Sequence, residues 1–247
     1  YDVNGDGLSD VISANADFNG GDTLTVFSTD SNGAADSDAV AITVTSVNDA
    51  PVNTVPGAQS VNEDTALSIS GTSVNDVDGN LSTTQLTVTS GTLNVSLAGG
   101  ATISSGANGS SSLTLSGTQA QINAALASVS YQGNLNFNGA DTLTVLSTDG
   151  NGATDSDSVA ITVSSVNDGP DNTVPGAQTV NEDTSLPSAG VSVNDVDGNL
   201  SSTQLTDTNG VINVSLAGGA TISSGANGSA SLTLSGTQAQ INAALAS

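Results

Sequence analysis

Asp2, Asn4, Asp6 and Asp10 alternate with small residues in DVNGDGLSD, near the start of the sequence. The pattern D-x-[DN]-x-[DN]-G-x-x-D puts side-chain oxygens around a tight loop, with the Leu8 carbonyl among them and Gly7 at the sharp turn. Oxygen-only ligands in such a loop suit a hard cation, calcium above all. Ser13 stands where a helix–loop–helix calcium site needs a glutamate, so the loop is expected to lead into a strand. A second kind of donor set is written twice: SVNDAPVNTVPGAQSVNEDT from Ser46 and SVNDGPDNTVPGAQTVNEDT from Ser165. Each copy carries Asn and Asp, two prolines, then Glu and Asp. Each is followed by NDVDGNL, which adds Asp76 and Asp78 to the first and Asp195 and Asp197 to the second.

The charge balance gives these clusters their meaning. The chain has 24 acidic residues, no Lys, Arg or His, and a net charge of −24. Two carboxylates about 4 Å apart repel by about 4 kcal/mol at an effective dielectric near 20. With no basic side chain to separate them, clustered aspartates are expected to hold several calcium ions per chain. The same balance excludes nucleic acid and anionic membrane surfaces as partners. No apolar run is long enough to span a bilayer. Cysteine is absent, which leaves metal as the available staple. Weak-affinity calcium modules work outside cells, so an extracellular or cell-surface location is expected. The lack of an initiator Met and of a signal peptide suggests a processed or partial chain. Catalysis is not expected. His, Cys and Lys are missing, and the carboxylate pair Asp195/Asp197, which could serve a glycosidase, recurs with the repeat.

The repeat sets the domain organisation. Ala50–Ser128 differs from Gly169–Ser247 at about 14 of 79 positions, and Asn19–Asp49 differs from Asn138–Asp168 at about 6 of 31. Differences this few make the two copies one fold. The organisation expected is 1–49, the calcium loop plus the tail of a repeat; 50–168, a complete repeat; and 169–247, the front two-thirds of the next. The pattern within the repeat is β. SVAITVSSV (Ser158–Val166), TLTVLS (Thr142–Ser147), QLTVT (Gln85–Thr89), LNVSL (Leu93–Leu97) and SLTLS (Ser112–Ser116) alternate apolar and small polar residues. About seven such strands with frequent turns predict an all-β, two-sheet antiparallel sandwich. One helix is expected where Ile122, Ala125, Leu126 and Val129 fall at helical spacing, capped by Thr118 with Gln121 in a capping box, and again over Thr237–Ala246. LAGGATISSGANGSS (Leu97–Ser111) reads as a polar loop. Pro51 and Pro56 interrupt ladder pairing and mark a domain junction.

VNDAP at Val47–Pro51, VNEDT at Val61–Thr65, DVDG at Asp76–Gly79 and STDGNGATDSDSVAITV at Ser147–Val163 resemble the cadherin-like and VCBS-type tandem repeats of bacterial surface adhesins. The Asp2–Asp10 loop resembles the calcium loop of integrin-type FG-GAP repeats. The resemblance implies cadherin- or immunoglobulin-like sandwiches strung end to end and stiffened by calcium near the linkers. It implies one cluster of Asn48, Asp49, Glu63, Asp76 and Asp78, and a second of Asn167, Asp168, Glu182, Asp195 and Asp197. Asp149, Asp155 and Asp157 are candidate added ligands from the strand-to-strand turn.

Two roles follow as expectations. One is a non-enzymatic extracellular filament subunit or adhesin stalk. In it, the DTLTVFS and DAVAITVTS strands (Asp22–Ser28, Asp38–Ser46) of one copy complete the partial repeat of another, head to tail, by donor-strand complementation. The other is a carbohydrate- or surface-binding module within a giant tandem-repeat protein, whose neighbours are further repeats of the same chain.

Overall fold

The computed structural model describes residues 13–187 and 189–247, so the Asp2–Asp10 loop lies outside the described residues. The chain separates into two compact units, Tyr1–Ser164 and Ser165–Ser247.

The described residues of the first unit open on a hairpin, β1 (Gly20–Thr29) and β2 (Ala35–Val44), and among the described residues these two strands pair only with each other. A sandwich follows: β3 (Val52–Thr54), β4 (Gln59–Asn62), β5 (Leu67–Ser68), β6 (Ser73–Asn75), β7 (Leu81–Thr87), β8 (Gly91–Asn94), β9 (Thr102–Gly106), β10 (Ser112–Ser116), α1 (Gln119–Leu126), β11 (Ser130–Gly133), β12 (Gly139–Asp149) and β13 (Thr154–Ser164). Its large sheet has the order β4-β13-β12-β7-β10-β9, its small sheet β5-β11-β8, and β3 pairs with β6. All pairings are antiparallel except β4 with β13. The strands outnumber the seven expected because several span only two to four residues. Such fragments carry no readable alternation: β3 fits between Pro51 and Pro56, and β5 has two residues. Leu97–Ser111 is not one polar loop, since Thr102–Gly106 within it is a strand paired with β10. Ile103 is its one large apolar residue, which gave the sequence no period to show.

Alternation makes the core. On β12, Leu143 and Val145 are fully buried, and on β13 Val159, Ile161 and Val163 nearly so. They pack with Leu86, Leu113 and Leu115 of the large sheet and Leu93 and Tyr131 of the small one. The expected helix is α1. Thr118 accepts from the Gln121 N–H, and the Gln121 side chain accepts from the Thr118 N–H, the reciprocal box its spacing predicts. Ile122, Ala125 and Leu126 close the core.

The second unit repeats this plan with fewer strands: β14 (Asp171–Thr173), β15 (Ser192–Asn194), β16 (Ser202–Thr206), β17 (Thr221–Gly225), β18 (Ser231–Ser235) and α2 (Gln238–Leu245). β14 pairs with β15, and the sheet order is β16-β18-β17. Its smaller core gathers Val193, Leu232, Leu234, Ile241 and Leu245.

One buried carboxylate joins the two sheets of the sandwich. Asp141 on β12 is 4% exposed. It accepts from the N–H (3.1 Å) and hydroxyl (2.6 Å) of Thr89, the N–H groups of Ser90 (2.9 Å) and Thr142 (2.8 Å), and the Tyr131 hydroxyl (3.0 Å). Burial pushes its pKa up, but the hydrogen bonds from Thr89, Thr142 and Ser90 outweigh it and the net shift is downward. Tyr131, buried and facing that charge, is shifted upward. A depressed carboxylate pKa contributes stability above the unfolded value, near 4, and loses it as pH falls through the folded value. Asp141→Asn should therefore destabilise the chain by roughly 2 kcal/mol or more at pH 7, because an amide cannot accept from every donor. The deficit should shrink below about pH 4. Chemical denaturation of both chains from pH 7 to pH 3 checks this, and a deficit independent of pH would refute it.

Candidate metal centre

Three loops at one end of the sandwich bring oxygen donors together. The β12–β13 turn starts at Asp149, whose Oδ1 accepts from the N–H groups of Asn151 (2.9 Å) and Ala153 (2.8 Å). The segment entering β3 supplies Asn48, which donates its amide to Asp149 Oδ2 at 2.7 Å. The turn after β6 supplies Asp76, Asp78 and Asn80, with Gly79 at φ +67° as the turn requires. There the Asp78 N–H donates to Asp76 Oδ1 (3.1 Å), and Asp78 Oδ2 accepts from the Asp49 N–H (2.7 Å). The helix holds this turn from beneath, because Gln119 Oε1 accepts from the Asp76 N–H at 2.9 Å. Asp76 is 4% exposed and Asp149 3%.

The amides here face oxygen. Asn48 Oδ1 is approached by the amide nitrogens of both Asn80 (2.7 Å) and Asn151. The Asn80 side-chain oxygen lies 3.1 and 2.9 Å from the two carboxylate oxygens of Asp76, acceptor against acceptors. A half-turn of that amide would relieve the repulsion. So would a cation shared by the three oxygens. A polar cavity of about 460 Å³, lined in part by Asn48, Asp78, Asn80 and Asn151, opens beside them.

The second unit repeats two of these three loops. Asp197 Oδ2 accepts from the Asp168 N–H (2.6 Å), Asn167 Oδ1 from the Asn199 amide (2.6 Å), and Gln238 Oε1 from the Asp195 N–H (2.8 Å). Asp195 is 5% exposed, and its Oδ1 is buried and accepts no hydrogen bond.

The grouping differs from that implied by the sequence. Asn48, Asp49, Asp76, Asp78 and Asp149 come together, but Glu63 does not join them. Its N–H donates to the Ser164 carbonyl and its Oε2 accepts from Asn138 (3.4 Å), both at the end of β12–β13 opposite the Asp149 turn. Asp155 is not a turn ligand either. Its carboxylate accepts from the Asn53 N–H at 2.6 Å and its backbone carbonyl from the Asn53 amide at 2.9 Å, which ties β3 to β13. Asp157 is half-buried on β13, and Glu182 is exposed in a turn. The contributors missed are Asn80, Asn151 and Gln119. Their signal was recurrence alone, since Asn199, Asn32 and Gln238 stand at the repeat-equivalent positions.

These features define an all-β chain of sandwich-type units, with an acidic cluster built from loops at a sandwich end. Residues 63–158, less than half of the chain, match the Protein GAMETE EXPRESSED 2 domain. That match does not extend to VCBS-type or FG-GAP families. No curated protein sequence matches the chain. Similar solved structures include the fibronectin(III)-like modules of Clostridium thermocellum CbhA, at 18% identity and TM-score 0.28, covering 60% of this chain and 64% of that one. The extracellular cadherin domains 1–5 of protocadherin gamma B2 align at 16% identity and TM-score 0.35, covering 87% and 38%. Domains 1–4 of protocadherin gamma B7 align at 15% and 0.37, covering 91% and 50%. The chain thus spans less than two-thirds of each of these chains.

The Asn48 amide is the largest cause holding the Asp149 pKa below its ordinary value. Asn48→Ala should raise that pKa toward the usual aspartate range, read from the Asp149 carboxyl carbon in an NMR titration. An unchanged value would show that the turn N–H groups alone set it.

Proposed function

We infer that the chain is an extracellular, non-enzymatic structural segment of an adhesion-type protein, whose sandwich domains bind calcium at the loop clusters. The observation that carries this reading is the buried Asp195, whose Oδ1 has no hydrogen-bond partner, in a chain with no cationic side chain. Asp76, its counterpart in the first unit, is equally buried at the same turn, where its Oδ1 accepts from the Asp78 N–H. Burying a carboxylate without compensation is costly, and a divalent cation is the remaining compensation. Asn48, Asp49, Asp76, Asp78, Asn80 and Asp149 would hold an ion in the first unit, and Asn167, Asp168, Asp195, Asp197 and Asn199 in the second. Hard oxygen donors, carboxylate and amide together, fit calcium. The ion would supply charge neutralisation, and its binding would fix three loops relative to one another. The match to the GAMETE EXPRESSED 2 domain and the extracellular cadherin domains among the similar structures agree with a surface location.

Calcium titrated calorimetrically into chelator-treated chain should bind, and should raise the midpoint of thermal unfolding. At ten times the dissociation constant each site adds about 1.4 kcal/mol, a shift of a few degrees for units of this size. Asp76→Asn with Asp195→Asn should abolish most of the heat and the shift. Equal effects of sodium, or no saturable heat at millimolar calcium, would end the reading.

A further inference from the structure

The sandwich carries three Asn–Gly pairs: Asn108–Gly109, Asn138–Gly139 and Asn151–Gly152. Such a pair can react with itself. The glycine nitrogen attacks the asparagine Cγ and closes a five-membered ring, and the absence of a glycine side chain leaves that approach open. The fold must supply an amide that can turn and a glycine N–H that can leave its partner. All three asparagines are exposed, so exposure does not separate them. Hydrogen bonds do.

Asn108 is held at both ends of its amide. Its Oδ1 accepts from the Val95 N–H (2.8 Å), its Nδ2 donates to the Val95 carbonyl (2.9 Å), and the Gly109 N–H donates to the Leu93 carbonyl at 2.8 Å. Asn138 leads straight into a strand. Gly139 opens β12 opposite Val163, and the Asn138 amide donates to Glu63 Oε2. Asn151 instead sits in the β12–β13 turn. Gly152, at φ +90°, has no atom within 4 Å of the place a Cβ would take. Its N–H donates to the Asp149 carbonyl across 3.3 Å, a long and weak bond. The Asn151 amide donates to Asn48 Oδ1. Asp149–Gly150, in the same turn, is tied down: the Gly150 N–H donates to the Asn80 carbonyl at 2.9 Å, and the Asp149 carboxylate accepts from Asn48, Asn151 and Ala153.

We propose that Asn151 is a site of spontaneous deamidation. The Gly152 nitrogen bonds to Asn151 Cγ, the Cγ–Nδ2 bond breaks, and the amide nitrogen leaves as ammonia with the proton the glycine nitrogen gives up. Water then opens the cyclic imide at either carbonyl, giving aspartate or isoaspartate. Water is the only co-reactant, and nothing is oxidised or reduced. The position gives the change its consequence. The new carboxylate faces Asn48 Oδ1, which loses a donor, beside Asp149 in a chain with no cationic side chain. The isoaspartate form also adds a methylene to the backbone between the Asn151 and Ala153 N–H groups, both of which Asp149 Oδ1 accepts. Time thus adds charge to the acidic end of the sandwich and loosens its turn. The proposal does not rest on the calcium reading.

The chain offers trypsin no Lys or Arg, so it is digested at its aspartates and read by mass spectrometry. Folded chain incubated at mildly alkaline pH should show Asn151 converted to a mixture of aspartate and isoaspartate, while Asn108 and Asn138 keep their amides. In urea the three should convert at similar rates. Asn48→Ala removes the bond on the Asn151 amide and should speed its conversion several-fold, with Asn108 in the same chain reporting any general loosening of the fold. Asn151→Gln, which would need a larger ring, should not convert. An Asn151 that survives in the folded chain over a time that converts it in urea overturns the proposal. So does an Asn108 or Asn138 that converts as fast as Asn151 in the folded chain, or an Asn48→Ala chain in which Asn151 converts no faster.

Discussion

A net charge of −24 without one basic side chain is the constraint to which the rest of the structure answers. Where other proteins hold carboxylates with Lys or Arg, this one uses dipoles. Asp141 collects three backbone N–H groups and two hydroxyls, Asp149 takes turn N–H groups and an amide, Asp155 takes Asn53, and Asp78 takes the Asp49 N–H. A carboxylate that accepts several such bonds is stabilised in its charged form. These aspartates therefore act as knots: each ties a turn to itself or one strand to another.

The same solution explains the abundance of Asn, Ser and Thr on surfaces that elsewhere carry charge pairs. Thr84, Ser147 and Asn53 form a buried polar contact inside the sandwich, fully satisfied by one another and by β12 and β13. Such a network specifies register more strictly than an apolar face does, because a slip leaves each partner buried and unpaired. It also accounts for how near-identical repeats keep one alignment.

The long strands were readable because alternation over ten or eleven residues leaves one consistent face. That pattern identified β12 and β13, the shorter alternation of SLTLS identified β10, and the capping box identified α1. What stayed hidden was short or non-local. Strands of two to four residues show no period, and the parallel pairing of β4 with β13 depends on a contact distant in sequence. Half of the candidate site was legible, since acidic residues at junction spacing do converge. Glu63 lies at the other end of the sandwich from Asp76 and Asp149, because spacing along the chain does not say which end of a sandwich a residue reaches. The role of Asp141 was invisible, because its donors come from a turn and from Tyr131 on the other sheet.

The turn bearing Asp76 links the cluster to the core. Its backbone is held by Gln119, the first residue of α1, and β6 is held by Asn123, which exchanges two hydrogen bonds of 2.8 Å with the Val74 backbone. The same helix inserts Ile122 and Leu126 into the core. The second unit repeats each contact through Gln238 and Asn242. The acidic turn is thus set in place by the packing of a helix, so its oxygens are positioned before anything binds. On the calcium reading, this preorganisation lowers the conformational cost of closing the loops. It also makes the coupling reciprocal: an ion that binds only the folded turn stabilises the helix and core behind it, and loosening that core weakens the site.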